Sequence, residues 1–357
     1  MINHGGWSIP ASFGNTNEEY AAVRLGGAGL IDFSARGRLL VTGAEAVQFL
    51  NGLITNDMKT LEEHHWMPAV FPNVQGRLIA SVRVIRLADS TTAQKPSPTF
   101  LIDTEAETRA TVLKMLERFT LAGDFKVTDL TDDWAMVSLQ GRDAQRILRQ
   151  SFGADAEVDL HEALQLTVSG NTMTVIRATH TAEDGFDLFA DKDQAEELWQ
   201  VLRDAGSHPV GFEAFEILRI EGGVARHGTD MDETTIVSET NLDEAVSFSK
   251  GCYIGQEIIA RIKYRGHVAK KLTGVVFDDS MAMQHGTKLF SEDRKEIGRM
   301  TSVTVSPALD RTIGLAYLKY DYLAAETKVH AVSDEREVSG VVVELPFVRG
   351  SWYQDQA

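Results

Sequence analysis

The residues best suited to chemistry lie in one segment, KGCYIGQE, at positions 250–257. Its cysteine, Cys252, is the only cysteine of the chain and follows Lys250 by two positions. Isoleucines spaced by four come next and predict a helix that begins just after the cysteine. A nearby lysine and a helix N-terminus both stabilise a thiolate, so the spacing suits a reactive cysteine. A buried thiol that packs as a small apolar group is the alternative.

The same part of the chain is positively charged in an acidic protein. The whole chain has 35 basic and 52 acidic residues and a formal net charge of −17, whereas 250–271 holds six cations against Glu257 and is +5. The remainder is therefore −22. Such a stretch suits an anionic ligand, a nucleic-acid backbone or an acidic partner, and a solvated charged face is the alternative. The acidic total argues against broad nucleic-acid binding.

Composition and sequence patterns exclude several classes of protein. A single cysteine excludes an intramolecular disulfide framework and a cysteine-cluster metal site. His64 and His65 are adjacent, so their side chains point in different directions, and we predict no metal site. The first residues resemble neither a secretory signal nor a transit peptide, and no apolar run is long enough to span a membrane. We therefore expect a cytoplasmic protein with no membrane partner.

The elements that must position this segment are predicted from apolar spacing. Thr42, Thr104 and Asp193 each have a glutamate three residues later, as in a capping box, and predict three helices. Strand-like runs separate them at 37–41, 79–87, 100–102, 134–139, 166–168, 173–177 and 186–189. A polar stretch with two prolines, 93–99, predicts an exposed loop between two strands. This irregular alternation favours α+β lobes over a doubly wound parallel sheet.

After about Gly266 the pattern changes to short strand-like pieces separated by turn residues. The pieces lie at 272–277, 288–291, 297–305, 313–317 and 338–343. Such a series is typical of a small barrel or sandwich. We place a domain boundary near 266–271. Residues 1–266 then form an N-terminal region of two α+β lobes, about 1–130 and 131–266, and residues 267–357 form a second domain.

Five blocks of sequence carry a resemblance to a known family. They are GRLLVTGAEAVQFLNGLITNDM (37–58), THTAEDGFDLF (179–189), LRIEGGVARHGTDMDE (218–233), the stretch 238–272 that contains KGCYIGQE, and GRMTSVTVSPALDRTIGLAYLK (298–319). Together they resemble the YgfZ-type folate-binding proteins, which are relatives of the T-protein (GcvT) of the glycine cleavage system. The resemblance covers nearly the whole chain. It implies an α+β fold with a multi-lobed, T-protein-like folate-binding region followed by a small C-terminal β-barrel.

The resemblance also implies a ligand, tetrahydrofolate or a one-carbon derivative, held in a central cavity between the lobes. Glu183 of TAEDGF matches the family's pterin-binding carboxylate, since one carboxylate can accept the paired donors of a pterin ring. Arg219 matches the arginine of the RLEAG block, and an internal salt bridge with Glu216 or Glu221 is its alternative role. The remaining folate-binding candidates are Asn56 and Asp57, which could instead form a turn, with Tyr253, Gln256 and Arg261.

Departures from the T-protein pattern imply a role other than group transfer. Ala80 and Ser81 replace an acidic pair that serves folate chemistry, and neither can act as a carboxylate base. Phe215 replaces an arginine. KGCYIGQE belongs to the YgfZ type, whose members support assembly or repair of iron–sulfur clusters in [4Fe–4S] enzymes. One cysteine cannot hold a cluster, so Cys252 would be a redox or transient ligand thiol, with Lys250 beside it.

The expected partners are therefore a folate and iron–sulfur enzymes or cluster-assembly proteins, and nucleic acid is not expected. Two other functions stay open at this point. One is a folate-dependent aminomethyltransferase or related one-carbon transferase, in which Asp57 or Asp230 replaces the missing acidic pair. Whether the chain is an enzyme depends on that choice. The other is a binding protein that uses 250–271 to contact nucleic acid or an acidic partner. His180 and His227 lie within or beside the family blocks; we expect them to pack in the core or at its rim, and a position facing the cavity is the alternative.

Overall fold

The computed structural model describes residues 1–90, 96–168, 170–279, 283–333 and 336–353. Its α-helices are α1 Thr16–Arg24, α2 Ala46–Leu53, α3 Arg109–Glu117, α4 Ala144–Phe152, α5 Ala195–Asp204, α6 Phe212–Glu221 and α7 Gln256–Arg265. Short 3-10 turns lie at Ala106–Thr108, Lys192–Gln194, Val237–Glu239, Asp243–Ala245, Tyr320–Tyr322 and Ser351–Tyr353.

The strands of the N-terminal region are β1 Ile2–His4, β2 Trp7–Ile9, β3 Gly29–Asp32, β4 Gly37–Thr42, β5 His65–Pro72, β6 Leu78–Ser90, β7 Ser97–Thr104, β8 Lys126–Asp129, β9 Trp134–Gln140, β10 Ala163–Val168, β11 Asn171–Arg177, β12 Gly185–Asp191 and β13 His208–Pro209. Those of the C-terminal part are β14 Lys270–Phe277, β15 Lys288–Phe290, β16 Glu296–Ser306, β17 Arg311–Lys319, β18 Lys328–Ser333 and β19 Arg336–Val343.

The first lobe is an antiparallel sheet with strand order β5-β6-β7-β4-β8. Along β6 the side chains alternate between its two faces, because successive residues of a strand point in opposite directions. Ala80, Val82 and Val84 pack in the core that α2 and α3 cover. Ser81 and the residues that follow it at every second position therefore point to the opposite face, which meets the second lobe.

The second lobe is a sheet with strand order β10-β11-β12-β9-β3-β13, covered on one face by α4 and α5. Its other face packs against the first sheet through a shared apolar cluster. Ile85 and Leu101 of the first sheet meet Met136, Ile176 and Phe189 of the second. The two sheets thus bury their inner faces against each other, and a polar group on either inner face must find a partner there.

The C-terminal part is a closed barrel with strand order β14-β17-β16-β15-β18-β19. The predicted fold class, an α+β region followed by a small β-barrel, is confirmed. β16 joins the barrel to the N-terminal region, because Ser302 accepts a hydrogen bond from Arg219 and Thr301 donates one to Asp230. We keep the domain boundary near 266–271 as a proposal. None of the described helices is long and apolar enough to cross a membrane.

The observed elements correct the predicted ones at several points. The three helices form, but their N-cap residues Glu45, Thr108 and Gln194 make no side-chain capping bond. Thr42 and Thr104 instead end strands, and the chain turns before each helix begins. Of the predicted loop 93–99, residues 93–95 lie outside the described residues. The prediction is wrong for 97–99, which begin β7 and pair with β6. β18 was not predicted.

Candidate functional site

A cavity lies where the two lobes meet α6. It holds about 730 Å³ of empty space, including the part open to solvent. Its apolar wall comes from the N-terminal segment, β3, the residues before α6 and α6 itself: Ile9, Pro10, Phe13, Ile31, Phe33, Val210, Phe212 and Phe215. Its polar wall consists of Asp32, Arg36, Glu105, His180, Arg219 and Arg226. A mostly apolar pocket with a few polar groups is the usual form of a small-molecule site.

Aromatic rings shape one side of the cavity. The ring of Phe33 makes edge contacts with His180 at 4.8 Å and with Phe215 at 5.1 Å between centroids. The guanidinium of Arg226 lies 5.0 Å from the centroid of the Phe212 ring. Such rings offer flat surfaces to a planar ligand and restrict its orientation. Phe215, which replaces an arginine of the T-protein pattern, is part of this wall.

Arg36 belongs to a buried group of charges behind the cavity. Its Nε and Nη2 donate to Asp103 Oδ1 and Oδ2, each at 2.8 Å, and its Nη1 donates to Glu105 at 2.7 Å. Burial acts to raise the pKa of Asp103, but Arg36 and Arg83 outweigh it and hold that pKa below its usual range. The same balance, with Arg36 as the cation, lowers the pKa of Glu105. Both carboxyl groups therefore stay ionised.

The charges continue from Asp103 into the second lobe. Arg83 donates its Nε to Asp103 Oδ2 at 2.8 Å and its Nη1 to Asp187 of β12. Asp187 is fully buried, and its Oδ2 lies 2.8 Å from Nε2 of His180. Burial acts to raise the pKa of Asp187, but His180 and Arg83 lower it well below its ordinary value. A continuous chain of polar contacts thus runs through Glu105, Arg36, Asp103, Arg83, Asp187 and His180.

Arg219 lines the cavity but is fully engaged within the protein. Its Nε and Nη2 bind the two carboxylate oxygens of Glu216 at 2.6 and 2.7 Å, and its Nη1 binds Asp230 at 2.9 Å. The internal salt bridge therefore forms with Glu216, whereas Glu221 bonds to Tyr20 and Arg24. Asp230 also bonds to Thr301, so it lacks a free oxygen with which to replace the missing acidic pair.

Glu183 lies outside the residues that line the cavity. It is 4% exposed, and its Oε1 accepts from Arg24 at 2.7 Å. Its Oε2 accepts from the backbone N–H and the hydroxyl of Ser351 at 2.7 and 2.6 Å. The carboxylate is thus satisfied by the protein, and its role as a pterin ligand stays a prediction.

Lys250 has a structural environment. It is 6% exposed, and its Nζ donates to the carbonyl groups of Asn51, Ile54 and Asn56 at 2.8, 2.9 and 2.5 Å. These carbonyls lie at and just beyond the C-terminus of α2, so Lys250 acts as a cap for that helix. Burial lowers the pKa of Lys250 to about 8. The positively charged stretch is therefore not one surface.

Cys252 is exposed and is not among the residues lining the cavity. The helix predicted to begin just after it begins at Gln256, because Gly255 first takes a left-handed conformation with φ +79°. A substituent on Gly255 would meet the carbonyl oxygen of Asn73 at 2.3 Å, so the turn requires glycine. The thiol therefore lies in an irregular segment just before the turn that leads into α7. The alternative of a buried thiol is wrong.

The remaining candidates lie apart from the cavity as well. Tyr253 is buried, its ring lies 5.1 Å from the ammonium of Lys250, and burial raises its pKa to about 12. Arg261 is exposed on α7. Asn56 donates to the carbonyls of Pro68 and Glu244, and Asp57 accepts from the N–H of Lys59 in a turn. Of the predicted folate-binding residues, Arg219 alone lines the described cavity.

Sequence reasoning missed most of the polar wall. The buried partners behind this wall did have a signal in the sequence, a charged residue inside an otherwise apolar strand: Arg83 in SVRVIRL, Asp103 in FLIDT and Asp187 in GFDLFAD. A charge in such a strand is buried only with a partner. His180, expected to pack in the core or at its rim, lines the cavity. Among the described residues, no group of three or more His, Cys, Asp or Glu is placed to hold a metal ion.

Known protein families match both the N-terminal region and the barrel of this chain. Residues 1–250 match the family model described as the GCVT N-terminal domain, and residues 270–349 match the glycine cleavage T-protein C-terminal barrel domain. An aminomethyltransferase of Rubrobacter xylanophilus is 31% identical over 351 residues, which are 98% of this chain and 90% of the relative. One from Halothermothrix orenii is 28% identical over 364 residues, 98% of this chain and 96% of the relative.

A solved structure has the same fold. The glycine cleavage system aminomethyltransferase T from Bartonella henselae superposes with a TM-score of 0.88 at 22% identity, over 98% of this chain and 94% of that chain. At this level of identity the similarity establishes the arrangement of lobes and barrel.

Proposed function

The chain belongs to the glycine cleavage T-protein family, and from this membership we propose that it binds tetrahydrofolate or a one-carbon derivative in the cavity beside α6. The family uses tetrahydrofolate as a substrate or cofactor. The observation that carries the proposal is the aromatic wall of Phe33 and Phe215 next to the polar His180. A reduced pterin is a flat ring with several N–H groups, so this combination of surfaces suits it.

The finer function that we propose is an accessory role for iron–sulfur enzymes, as in the YgfZ type. Its support is the loss of the acidic pair. Ala80 is buried in the core under α2 and α3, and Ser81 stands on the face of β6 that meets the second lobe. A carboxylate at position 81 would point toward that interface, and serine supplies no base there. Asp230 is bonded to Arg219, and Asp57 lies in a turn apart from the cavity.

Cys252 supports the accessory role from a different part of the molecule. Its thiol is exposed, so a partner protein can reach it without any change in the fold. A single thiolate is too few to hold a cluster but can complete the ligand set of a cluster held by a client enzyme. We propose that role for Cys252, with iron–sulfur enzymes or cluster-assembly proteins as the partners.

Aminomethyl transfer is the second candidate function, and the names of the relatives favour it. Relatives at 26% to 31% identity that span at least 98% of this chain are aminomethyltransferases. Purified protein is given an aminomethylated lipoyl carrier with tetrahydrofolate, and the release of ammonia is followed. We expect no turnover above that of the carrier alone. Tetrahydrofolate-dependent turnover would replace the accessory role with a transferase.

Folate binding and the role of the thiol are tested separately. Calorimetric titration with 5-formyltetrahydrofolate, a stable reduced folate, should give saturable binding, and its absence would contradict the ligand. Cys252→Ser should keep this binding but fail to restore [4Fe–4S] enzyme activity in a strain that lacks the protein. Ser249→Ala, a change at an exposed neighbour, is the control and should restore it. Full restoration by Cys252→Ser would remove the thiol from the proposal.

A further inference from the structure

His180 combines a carboxylate partner with a free ring nitrogen at the cavity. Its Nε2 lies 2.8 Å from Oδ2 of Asp187, and its backbone N–H donates to Gln140 Oε1 at 2.9 Å. The ring also packs edge-on against Phe33. The bond to Asp187 and the contact with Phe33 therefore hold the imidazole in one orientation.

The charge of Asp187 decides which nitrogen of the imidazole carries the proton. Asp187 is fully buried and ionised, and an ionised carboxylate can only accept hydrogen bonds. Nε2 of His180 must therefore be the N–H that donates to it. In the neutral ring this leaves Nδ1 with a lone pair, as in other histidines oriented by a carboxylate.

The other ring nitrogen, Nδ1, has no partner in the part of the chain that the structure describes. Among the described residues, none makes a hydrogen bond with this atom, and it is not one of the buried side-chain atoms left unpaired. His180 lines the cavity, and its side chain keeps 14% exposure. The open nitrogen is therefore accessible, and the cavity is the space that the ring borders.

We infer that His180 accepts a hydrogen bond at Nδ1 from an N–H group of the ligand in the cavity, and that Asp187 is the residue that positions it. The inference rests on the proposed folate binding and names the group that the site selects. A ligand with an N–H donor at this position gains a hydrogen bond. A ligand that presents an acceptor there meets a lone pair and is disfavoured.

The test uses the full chain and 5-formyltetrahydrofolate as the probe. His180→Phe keeps a ring against Phe33 and removes both nitrogens. It should weaken binding about tenfold, the effect of one hydrogen bond of about 1.4 kcal/mol. His267→Phe is the matched control, because the His267 ring is stacked on Tyr320 at 3.9 Å between centroids, away from the cavity. The affinity of this variant for the folate should stay within twofold of wild type.

Asp187→Asn tests the positioning role. An amide can donate as well as accept, so it no longer fixes the proton on Nε2. Imidazole ¹⁵N NMR of the wild-type protein should show the Nε2–H form of His180 and an upfield shift of Nδ1 on saturation with the folate. In Asp187→Asn the two tautomers should mix, and the affinity should fall. The wild-type NMR result decides the question even where a variant does not fold.

The outcomes distinguish a failure of the proposed folate binding from a failure of the role inferred for His180. If wild-type protein does not bind the folate, the proposed function fails and this inference fails with it. If wild-type protein binds the folate but His180→Phe retains its affinity within twofold, or Nδ1 does not shift, the inference alone is overturned. A tenfold loss together with the Nδ1 shift supports both.

Discussion

Asp103 offers a sharp test of the buried charges between the lobes. Its side chain is fully buried, and three hydrogen bonds of 2.8 Å reach it, two from Arg36 and one from Arg83. Asp103→Asn keeps the size and shape of the side chain and removes the negative charge. Two arginine side chains then remain in the interior with one carboxylate fewer between them.

The expected cost follows from what each arginine keeps. Removing one partner of a buried ion pair costs about 3–5 kcal/mol, because the other charge is left without compensation. Arg36 retains Glu105 at 2.7 Å, and Arg83 retains Asp187. We therefore expect the lower end of that range, a loss of about 3 kcal/mol in the free energy of unfolding. Domains are typically stable by about 5–15 kcal/mol, so the change is large.

Urea unfolding at pH 7, followed by tryptophan fluorescence, measures the loss. The control is Glu296→Gln, which removes the ion pair between Glu296 and Lys288. The two charged groups are 2.7 Å apart, and the side chains are 53% exposed for Glu296 and 63% exposed for Lys288. An exposed pair contributes about 0–1 kcal/mol, so the control should stay near wild type. If Asp103→Asn loses no more stability than Glu296→Gln, the buried charges between the lobes do not stabilise the fold.

Two further predictions concern charge and stability. Lys250→Met should lower the free energy of unfolding by about 2–4 kcal/mol, because three carbonyl groups lose a charged donor; a change below about 1 kcal/mol in urea would contradict the capping role. Folding lowers the pKa values of Asp103 and Asp187. Their contribution to the free energy of unfolding is therefore complete above the pKa of an unfolded aspartate, near 3.9, and is lost as the pH falls from there through their pKa values in the folded protein. Urea midpoints should therefore fall below about pH 4, and constant midpoints down to pH 2 would refute the assignment.

Much of the fold could be predicted because a strand is recognisable from the pattern of apolar residues within its own few positions. The runs that predicted β4, β6, β9 and β12 alternate or stay apolar over their whole length, and sheet faces follow from that pattern. The conformation of the segment around Cys252 was harder to predict from the sequence. Ile254, Ile258 and Ile262 predicted a helix from just beyond Cys252, but the left-handed Gly255 delays its start to Gln256.

The site was harder to predict because its contacts join distant parts of the chain. Arg83 and Asp187 are 104 residues apart, and Glu183 and Ser351 are 168 residues apart. Neither pair has a local signature, so spacing could not reveal that Glu183 is satisfied within the protein. Family resemblance identified Glu183 by its motif, whereas the ring that faces the cavity belongs to His180, three residues earlier.

The bond between Glu183 and Ser351 also bears on how the protein is made. Ser351 lies 168 residues after Glu183 and beyond the last strand of the barrel, so the ribosome must translate the barrel before this partner exists. Until then the nascent lobes carry a carboxylate whose backbone and hydroxyl donors are missing, although Arg24 is already present. The environment of Glu183 is therefore complete only once the segment after the barrel has been made, and a chain that stops before Ser351 would lack both donors to Glu183 Oε2.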